Sequence, residues 1–376
     1  MNHSEQEFTP IWAAGFMSGT SLDAVDAAMI LTDGVRVLEF GPVAERKYTP
    51  EERAVLQDAV TRARDWNWQG DPPDFSDAMK VLTATHIDAF EAMLEGWDGP
   101  RPAIAGVHGQ TVLHRRPKDG AMGATLQILD AATLQAGLDV PLAYDFRSAD
   151  VAAGGEGAPL APIYHQALLA RTGYENAAAL NLGGVANITI CEADGHMTAF
   201  DTGPANGPID EWIERHGRGT YDNGGALAAA GRVDEGLLAQ LLDHPYFDER
   251  PPKSLDRYDF NGDLVDGLSL EDGAATLTAL SARAVACGFE HAGTEPQQLI
   301  VCGGGRHNPV LMALLEKACP CDVLSAEAAG WRGDSIEAEA FAYLAVRTLR
   351  GLPISFPSTT GAPEAMGGGV LNKGKT

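Results

Sequence analysis

One local pattern occurs twice in this chain, and it limits the folds available more than any other feature. Residues 11–40 read IWAAGFM, SGTSLD, AVDAAMIL, TDG and VRVLEF: an apolar strand, a turn of small hydroxyl residues and glycine, a second strand, a glycine turn and a third strand. Residues 178–190, AALNLGGVANITI, repeat the device as an apolar strand, a glycine turn and a β-branched strand. Helical stretches follow in each half, at about 50–65 and 77–96 in the first and at about 273–291 and 335–350 in the second. Two halves that open alike predict an α/β protein made of a duplicated domain with a cleft between the copies. The Gly- and Pro-rich run DFRSADVAAGGEGAPLAP at 145–162 marks the crossing. The first domain is therefore expected to take residues 1–146 with about 350–376, and the second 147–349.

Charge narrows the partners. The 27 Lys and Arg stand against 52 Asp and Glu, a formal net charge of −25, so the basic face needed for nucleic acid is not expected. No apolar run reaches the roughly 18 residues that span a bilayer, and MNHSEQEFTP has neither a basic start nor a long apolar stretch, so a cytoplasmic protein without a membrane segment is expected. Cys191, Cys287, Cys302, Cys319 and Cys321 show no C-x-x-C spacing, which supports neither a disulfide framework nor a zinc site. Residues 369–376, GVLNKGKT, match a phosphate-loop pattern letter for letter. Such a loop works by leading a strand into a helix, and no helix follows here. GFMSG is not a nucleophile elbow, so Ser18 is a poor hydrolase nucleophile.

Five segments have the residue types that chemistry needs. The turn Gly15 to Asp23 can present backbone N–H groups and hydroxyls to phosphate oxygens, or it can be an ordinary hairpin turn. Asp26 inside the following apolar strand favours the first, because a buried acid needs a donor or a hydrated cation. AIAGV at 103–107 ends at His108-Gly109-Gln110-Thr111, where open α/β sheets place their sites. In FDTGP, Asp201 is either a helix cap or a base at a strand end, and sequence does not separate the two. Gly303-Gly304-Gly305 before a helix is a close turn or a bed for a flat ligand. Glu337 and Glu339 stand where acids also favour a helix dipole.

Taken together, GFMSGTSLDAVDAAMI, GVHGQTVLHRRP, DFRSADVAAGGEGAPLAP, LNLGGVANIT, FDTGPANGPIDEW, PPKS, VCGGGRHNPVLM and EAEAFAYLA resemble the anhydro-N-acetylmuramic acid kinase family, in order and from residue 15 to about 369. The resemblance implies two actin-like (ribonuclease H-like) domains of the sugar-kinase superfamily, in agreement with the duplicated halves. It implies a cytoplasmic, ATP-dependent enzyme of cell-wall recycling that opens the 1,6-anhydro ring with water while phosphorylating O6. The alternatives are another actin-fold kinase acting on an ordinary hydroxyl or carboxylate, or a sugar-sensing protein without turnover.

By that resemblance Gly19, Thr20, Ser21, Leu22, Asp23, Ala24, Val25 and Asp26 hold ATP phosphates, and Gly183, Gly184 and Asn308 belong to the nucleotide site, with Gly303, Gly304 and Gly305 beside adenosine. Asp201 is the base, and Glu337 helps place the water, with Glu339 two residues away as its rival. His108, Gln110, Asp145, Arg147 and Asn187 bind the sugar. Mg²⁺ is held through phosphates and water, with Asp23 its one candidate protein ligand, and a homodimer is left open. Departures from the family pattern are Ala205-Asn206 after DTGP, Glu156 in GGEGAP, and Leu255-Asp256-Arg257-Tyr258 after PPKS. They bear on substrate preference rather than on the reaction.

Overall fold

The computed structural model describes residues 8–117, 120–255 and 259–374. The chain divides into two compact units, Met1–Arg171 with Ser335–Thr376, and Thr172–Asp334.

The first unit opens with an antiparallel meander of β1 (Ile11–Ser18), β2 (Ala24–Thr32) and β3 (Val37–Lys47). Helix α1 (Pro50–Trp66) starts at Thr49, which exchanges capping-box hydrogen bonds with Glu52, and Pro50 sits at its first turn where no N–H is needed. After α2 (Ser76–Leu94), β4 (Ile104–Val107) returns parallel to β1. A separate hairpin, β5 (Gln110–Arg115) with β6 (Ala124–Ile128), precedes α3 (Ala131–Leu138). Then β7 (Leu142–Tyr144) joins β4 in parallel, and α4 (Ser148–Ala153) and α5 (Pro162–Thr172) follow.

The second unit repeats the scheme. Strands β8 (Ala177–Leu182), β9 (Val185–Cys191) and β10 (Met197–Pro204) form an antiparallel meander, followed by α6 (Asn206–Arg215), α7 (Ala226–Ala230), α8 (Glu235–Leu242) and α9 (Leu270–Ala292). Strand β11 (Gln298–Cys302) lies parallel to β8, and after α10 (Pro309–Ala318), β12 (Asp322–Ser325) lies parallel to β11. The chain then returns to the first unit with α11 (Ile336–Leu349) and β13 (Val370–Asn372), which pairs antiparallel with β7.

The sheet orders are β3-β2-β1-β4-β7-β13 and β10-β9-β8-β11-β12. Each therefore carries a three-strand meander with two more strands running parallel to its first strand, which is the duplication expected from the repeated opening. Both sheets read as short apolar runs with alternating or continuous burial because helices cover them. Helix α11 packs on β1, β2 and β4 and is buried along nearly all its length. Two glycines let it approach that closely: a Cβ on Gly15 would lie 2.0 Å from the Ala338 carbonyl oxygen, and one on Gly106 2.0 Å from that of Phe341.

Strand β3 runs on to Lys47 instead of ending at Phe40, since its outer residues face solvent and the alternation is blurred by charge. The β5–β6 hairpin has no counterpart in the sequence reading because its two short strands, QTVLHR and ATLQI, mix apolar and polar residues without a long apolar run. All five cysteines are free. Among the described residues no helix is long and apolar enough to cross a membrane.

Candidate active site

At the β1–β2 turn the backbone folds back on itself. Leu22 takes a left-handed conformation at φ 55° and donates its amide to the Gly19 carbonyl at 3.2 Å. Leu22 and Val25 point into the core, while Thr20, Ser21 and Asp23 are exposed and Gly19, Ala24 and Asp26 half-buried. The turn is braced from behind. Buried Ser18 donates to Oε1 of Gln110 at 2.6 Å and lies 2.8 Å from the Tyr48 hydroxyl, and the Gln110 amide donates to the Gly19 carbonyl at 3.3 Å. Gln110 is fully buried, so its amide positions this turn from within. Asp23 faces Arg53 at 3.6 Å with both groups open to water.

The C-terminal end of β4 carries a second cluster. His108 is buried at the strand end, and Nε and Nη2 of Arg147 lie 3.1 and 3.0 Å from its Nε2. Nη1 of Arg147 donates to the Gly157 carbonyl at 2.7 Å. Burial pulls His108 down to about 3, with the Arg147 charge acting the same way. The half-buried Asp145, at φ 52°, accepts the Ser148 amide at 3.3 Å. Helix α11 supplies the acid of this cluster. Glu337 is accessible to solvent yet surrounded by protein; burial raises its carboxyl pKa while the Arg147 charge opposes the rise. Phe341, four residues on, lies against His108 with ring centroids 4.9 Å apart. Glu339 is fully buried and accepts a hydrogen bond from Tyr164, so the two neighbouring acids occupy opposite environments.

In the second unit, β10 slips register against β9 between Asp201 and Gly203. A bulge of this kind re-aims a side chain at a sheet edge. Asp201 is half-buried; its Oδ1 accepts from Asn187 at 2.9 Å and its Oδ2 from the Leu255 amide at 2.8 Å. Its carbonyl accepts the Tyr246 hydroxyl at 2.6 Å, and its amide donates to the Lys253 carbonyl at 3.0 Å. Lys253 is buried, donating to the Tyr246 carbonyl at 2.8 Å, and burial lowers its ammonium pKa. Asp201 does not cap α6, whose start at Ala205 has no side-chain cap.

The glycine turn after β8 docks on the start of α6: Asn206 and Gly207 donate their amides to the carbonyls of Gly183 and Gly184 at 2.9 and 3.0 Å. Gly303 sits at φ 74°, where a Cβ would fall 2.4 Å from Oδ1 of Asn181, and Gly305 is packed against Leu182. Gly304 is exposed, with nothing closer than 4.0 Å to its missing Cβ. Buried Arg306 fixes the triplet, donating to the Gly303 carbonyl at 3.0 Å while paired at 2.8 Å with both Glu327 and Asp334. Asn308 caps α10 by accepting from Val310 and Leu311 at 3.0 and 3.2 Å.

Two glycine turns between antiparallel strands, a bulged aspartate and an exposed glycine after a parallel strand restrict the possibilities, and comparison with known proteins decides among them. The profile of the anhydro-N-acetylmuramic acid kinase family matches residues 12–373. The chain belongs to the anhydro-N-acetylmuramic acid kinase family. Relatives of that name from Caulobacter vibrioides and Rhizobium rhizogenes are 55% and 51% identical, covering 95% and 96% of this chain and 97% and 99% of their own. Component A of the (R)-2-hydroxyglutaryl-CoA dehydratase of Acidaminococcus fermentans superposes with a TM-score of 0.47 at 11% identity, covering 90% of this chain and 99% of that one, a likeness too distant to add to the strand order.

Sequence reasoning passes over several residues that shape this kinase's candidate site. Ser18 and Tyr48 brace the β1–β2 turn, Tyr246 and Lys253 hold the Asp201 backbone, and Arg306 locks the glycine triplet. Asp150 was also missed: it is buried and accepts from the Gly157 amide at 2.6 Å and from Thr360 at 2.5 Å, shaping the Gly154–Gly157 loop. A charged residue amid small ones, as in SADVAAGG and GGGRHN, is the signal that points to Asp150 and Arg306. Among the departures, Ala205 is fully buried and donates its amide to the Gly184 carbonyl at 3.1 Å, while Asp256, Arg257 and Tyr258 lie outside the described residues.

Proposed function

We propose that this enzyme uses ATP and water to convert 1,6-anhydro-N-acetylmuramic acid into N-acetylmuramic acid 6-phosphate and ADP, in the cytoplasm and as a step of peptidoglycan recycling. Family membership supports the reaction, and the observation that carries the chemistry is the Asp201 carboxylate, aimed by a bulge and oriented by two donors. Asp201 takes a proton from water as the water oxygen bonds to C1. The C1–O6 bond breaks, and O6 bonds to the γ-phosphorus as the bridge to ADP breaks. Both oxygens of the base accept a hydrogen bond at rest, which fixes the carboxylate without need of reorganisation. Glu337, a carboxyl raised by burial beside a guanidinium, is the acid that helps place the water.

For ATP we assign the phosphates to the Gly19–Asp26 turn and the Gly183-Gly184 turn, with adenosine beside Gly304. Gly304 is exposed and a Cβ there would meet nothing closer than 4.0 Å, so its backbone is open to a ligand. Among the described residues no three His, Cys, Asp or Glu side chains converge. Asp23 is an exposed single carboxylate, a donor set suited to Mg²⁺ held chiefly by phosphate oxygens and water. The cation, when bound, neutralises phosphate charge.

The test is the fate of oxygen. In ¹⁸O-water the label should enter the anomeric hydroxyl and not the phosphate ester, and attack opposite O6 should give the α-anomer first, both read by early-time NMR. Label in phosphate or an initial β-anomer would end the assignment of one shared base.

A further inference from the structure

We propose that Tyr48 is a positioning residue for phosphoryl transfer, holding the β1–β2 turn at both ends through a one-way hydrogen-bond relay; this rests on the assignment of the ATP phosphates to that turn. Proton counting fixes the direction of each step. Nε2 of Gln110 lies 3.3 Å from the carbonyl oxygens of Gly19 and Thr111, and carbonyls only accept, so the NH₂ group faces them and Oε1 faces Ser18. Oε1 only accepts in turn, so the Ser18 hydroxyl spends its single proton there, at 2.6 Å. The phenol proton of Tyr48 must then fill the 2.8 Å contact between the two hydroxyls. The relay therefore runs from Tyr48 to Ser18 to Gln110 to the Gly19 carbonyl. Burial pushes the phenol pKa up, which keeps the proton that starts the relay in place at neutral pH.

The same residue holds the far end. The Tyr48 amide donates to the Asp23 carbonyl at 2.9 Å, one position beyond the Ala24–Lys47 pair that closes the β2–β3 ladder. Gly19 and Asp23 bound the exposed hydroxyl stretch, so the side chain and the backbone of one residue set the distance across it. The Tyr48 ring is packed against two apolar clusters of this unit, which keeps the hydroxyl on station. A turn that presents its N–H groups to an anion cannot also use them to hold itself, and its carbonyls are what remain for bracing. Since the peptide plane sets C=O and N–H in opposite directions, a Gly19 carbonyl drawn toward fully buried Gln110 turns the Thr20 N–H outward. Gln110, which the resemblance places with the sugar, has both ends of its amide engaged in this relay.

The experiment measures kcat and KM for ATP and for the sugar, with calorimetric Kd for ADP and adenosine, in Tyr48→Phe, Ser18→Ala and the double variant. Phenylalanine keeps the ring and the amide and removes only the proton that starts the relay. Tyr48→Phe should lower kcat/KM for ATP and the affinity for ADP about tenfold, the worth of one hydrogen bond, while Kd for adenosine and KM for the sugar stay within about twofold. Ser18→Ala should act alike, and the double variant should lose no more than the larger single loss, because both changes cut one chain. Losses that multiply in the double variant would overturn the relay. Equal weakening of ADP and adenosine would overturn the phosphate-positioning role, and a rise in KM for the sugar alone would return Gln110 to the sugar. Wild-type enzyme that bound ADP no more tightly than adenosine would instead sink the assignment of phosphates to the turn, whatever the variants did.

Discussion

The amide of Leu255 donates to Oδ2 of Asp201 at 2.8 Å, tying a strand end to a loop 54 residues further along the chain. Asn187 takes the other oxygen at 2.9 Å, so both partners are donors and both need an acceptor. An amide has only one oxygen. Asp201→Asn should therefore lose roughly 10²- to 10⁴-fold in turnover through loss of the base. It should also lose about 1–3 kcal/mol of stability, because one buried donor is left facing an NH₂ group. ADP release and urea melts on the same preparation check both effects. Retention of more than about a tenth of the activity would point to another base.

Within the glycine triplet, neighbours should behave differently. Gly303→Ala meets Asn181 at 2.4 Å in a left-handed conformation and should unfold at clearly lower denaturant. Gly304→Ala meets nothing closer than 4.0 Å, so its midpoint should match the wild type within about 0.5 kcal/mol while KM for ATP rises. An unchanged KM for ATP would remove Gly304 from the nucleotide site.

The two acids of α11 make a matched pair for mutation. Glu337→Gln should lower kcat with little change in melting, since the side chain is open to solvent. Glu339→Ala strips a fully buried acceptor from Tyr164 and should cost about 2 kcal/mol or more. Reversed outcomes would reassign the helper acid to Glu339.

Acid sensitivity should come from buried histidines. Burial lowers His86 and His165 to about 4 and, with help from Arg147, His108 to about 3, against an ordinary value of 6.5. The unfolded chain thus takes up protons that the folded one refuses. Stability is complete above pH 6.5 and falls as pH drops toward 4, by about 1.4 kcal/mol per pH unit for each ring. Urea midpoints at pH 7, 6 and 5 measure the slope. His86→Leu, which replaces a ring bonded only to the Leu82 carbonyl, should reduce that slope by about one proton.

The meanders, the paired helices α1 and α2, and α11 were readable because periodicity and glycine punctuation encode them directly. The candidate residues were readable as types at strand ends, and the family motifs gathered them. Which of two acids faces inward was not readable: Glu337 and Glu339 differ only in helical phase, and that phase is set by how Gly15 and Gly106 seat the helix. The cap role of Asn308 and the bracing role of Gln110 were hidden for a similar reason, since a polar side chain beside a glycine turn looks the same whether it serves the backbone or a ligand. Lys253 and Arg306 are charged residues that fold inward, against the usual expectation for their type.

The seat that Gly15 and Gly106 make for α11 also sets a timetable for synthesis. The first unit's sheet is nearly complete by residue 144, yet the helix that covers it comes from residues 336–349 and its edge strand from 370–372. The second unit is one continuous stretch, Thr172–Asp334, with every strand of its sheet in hand before α11 emerges. On the ribosome the later-encoded half should therefore mature first, while the earlier half waits with the faces of β1 and β4 uncovered and exposed to chaperones. A chain stopped just short of residue 336 would leave the half that starts the protein as the one unable to finish.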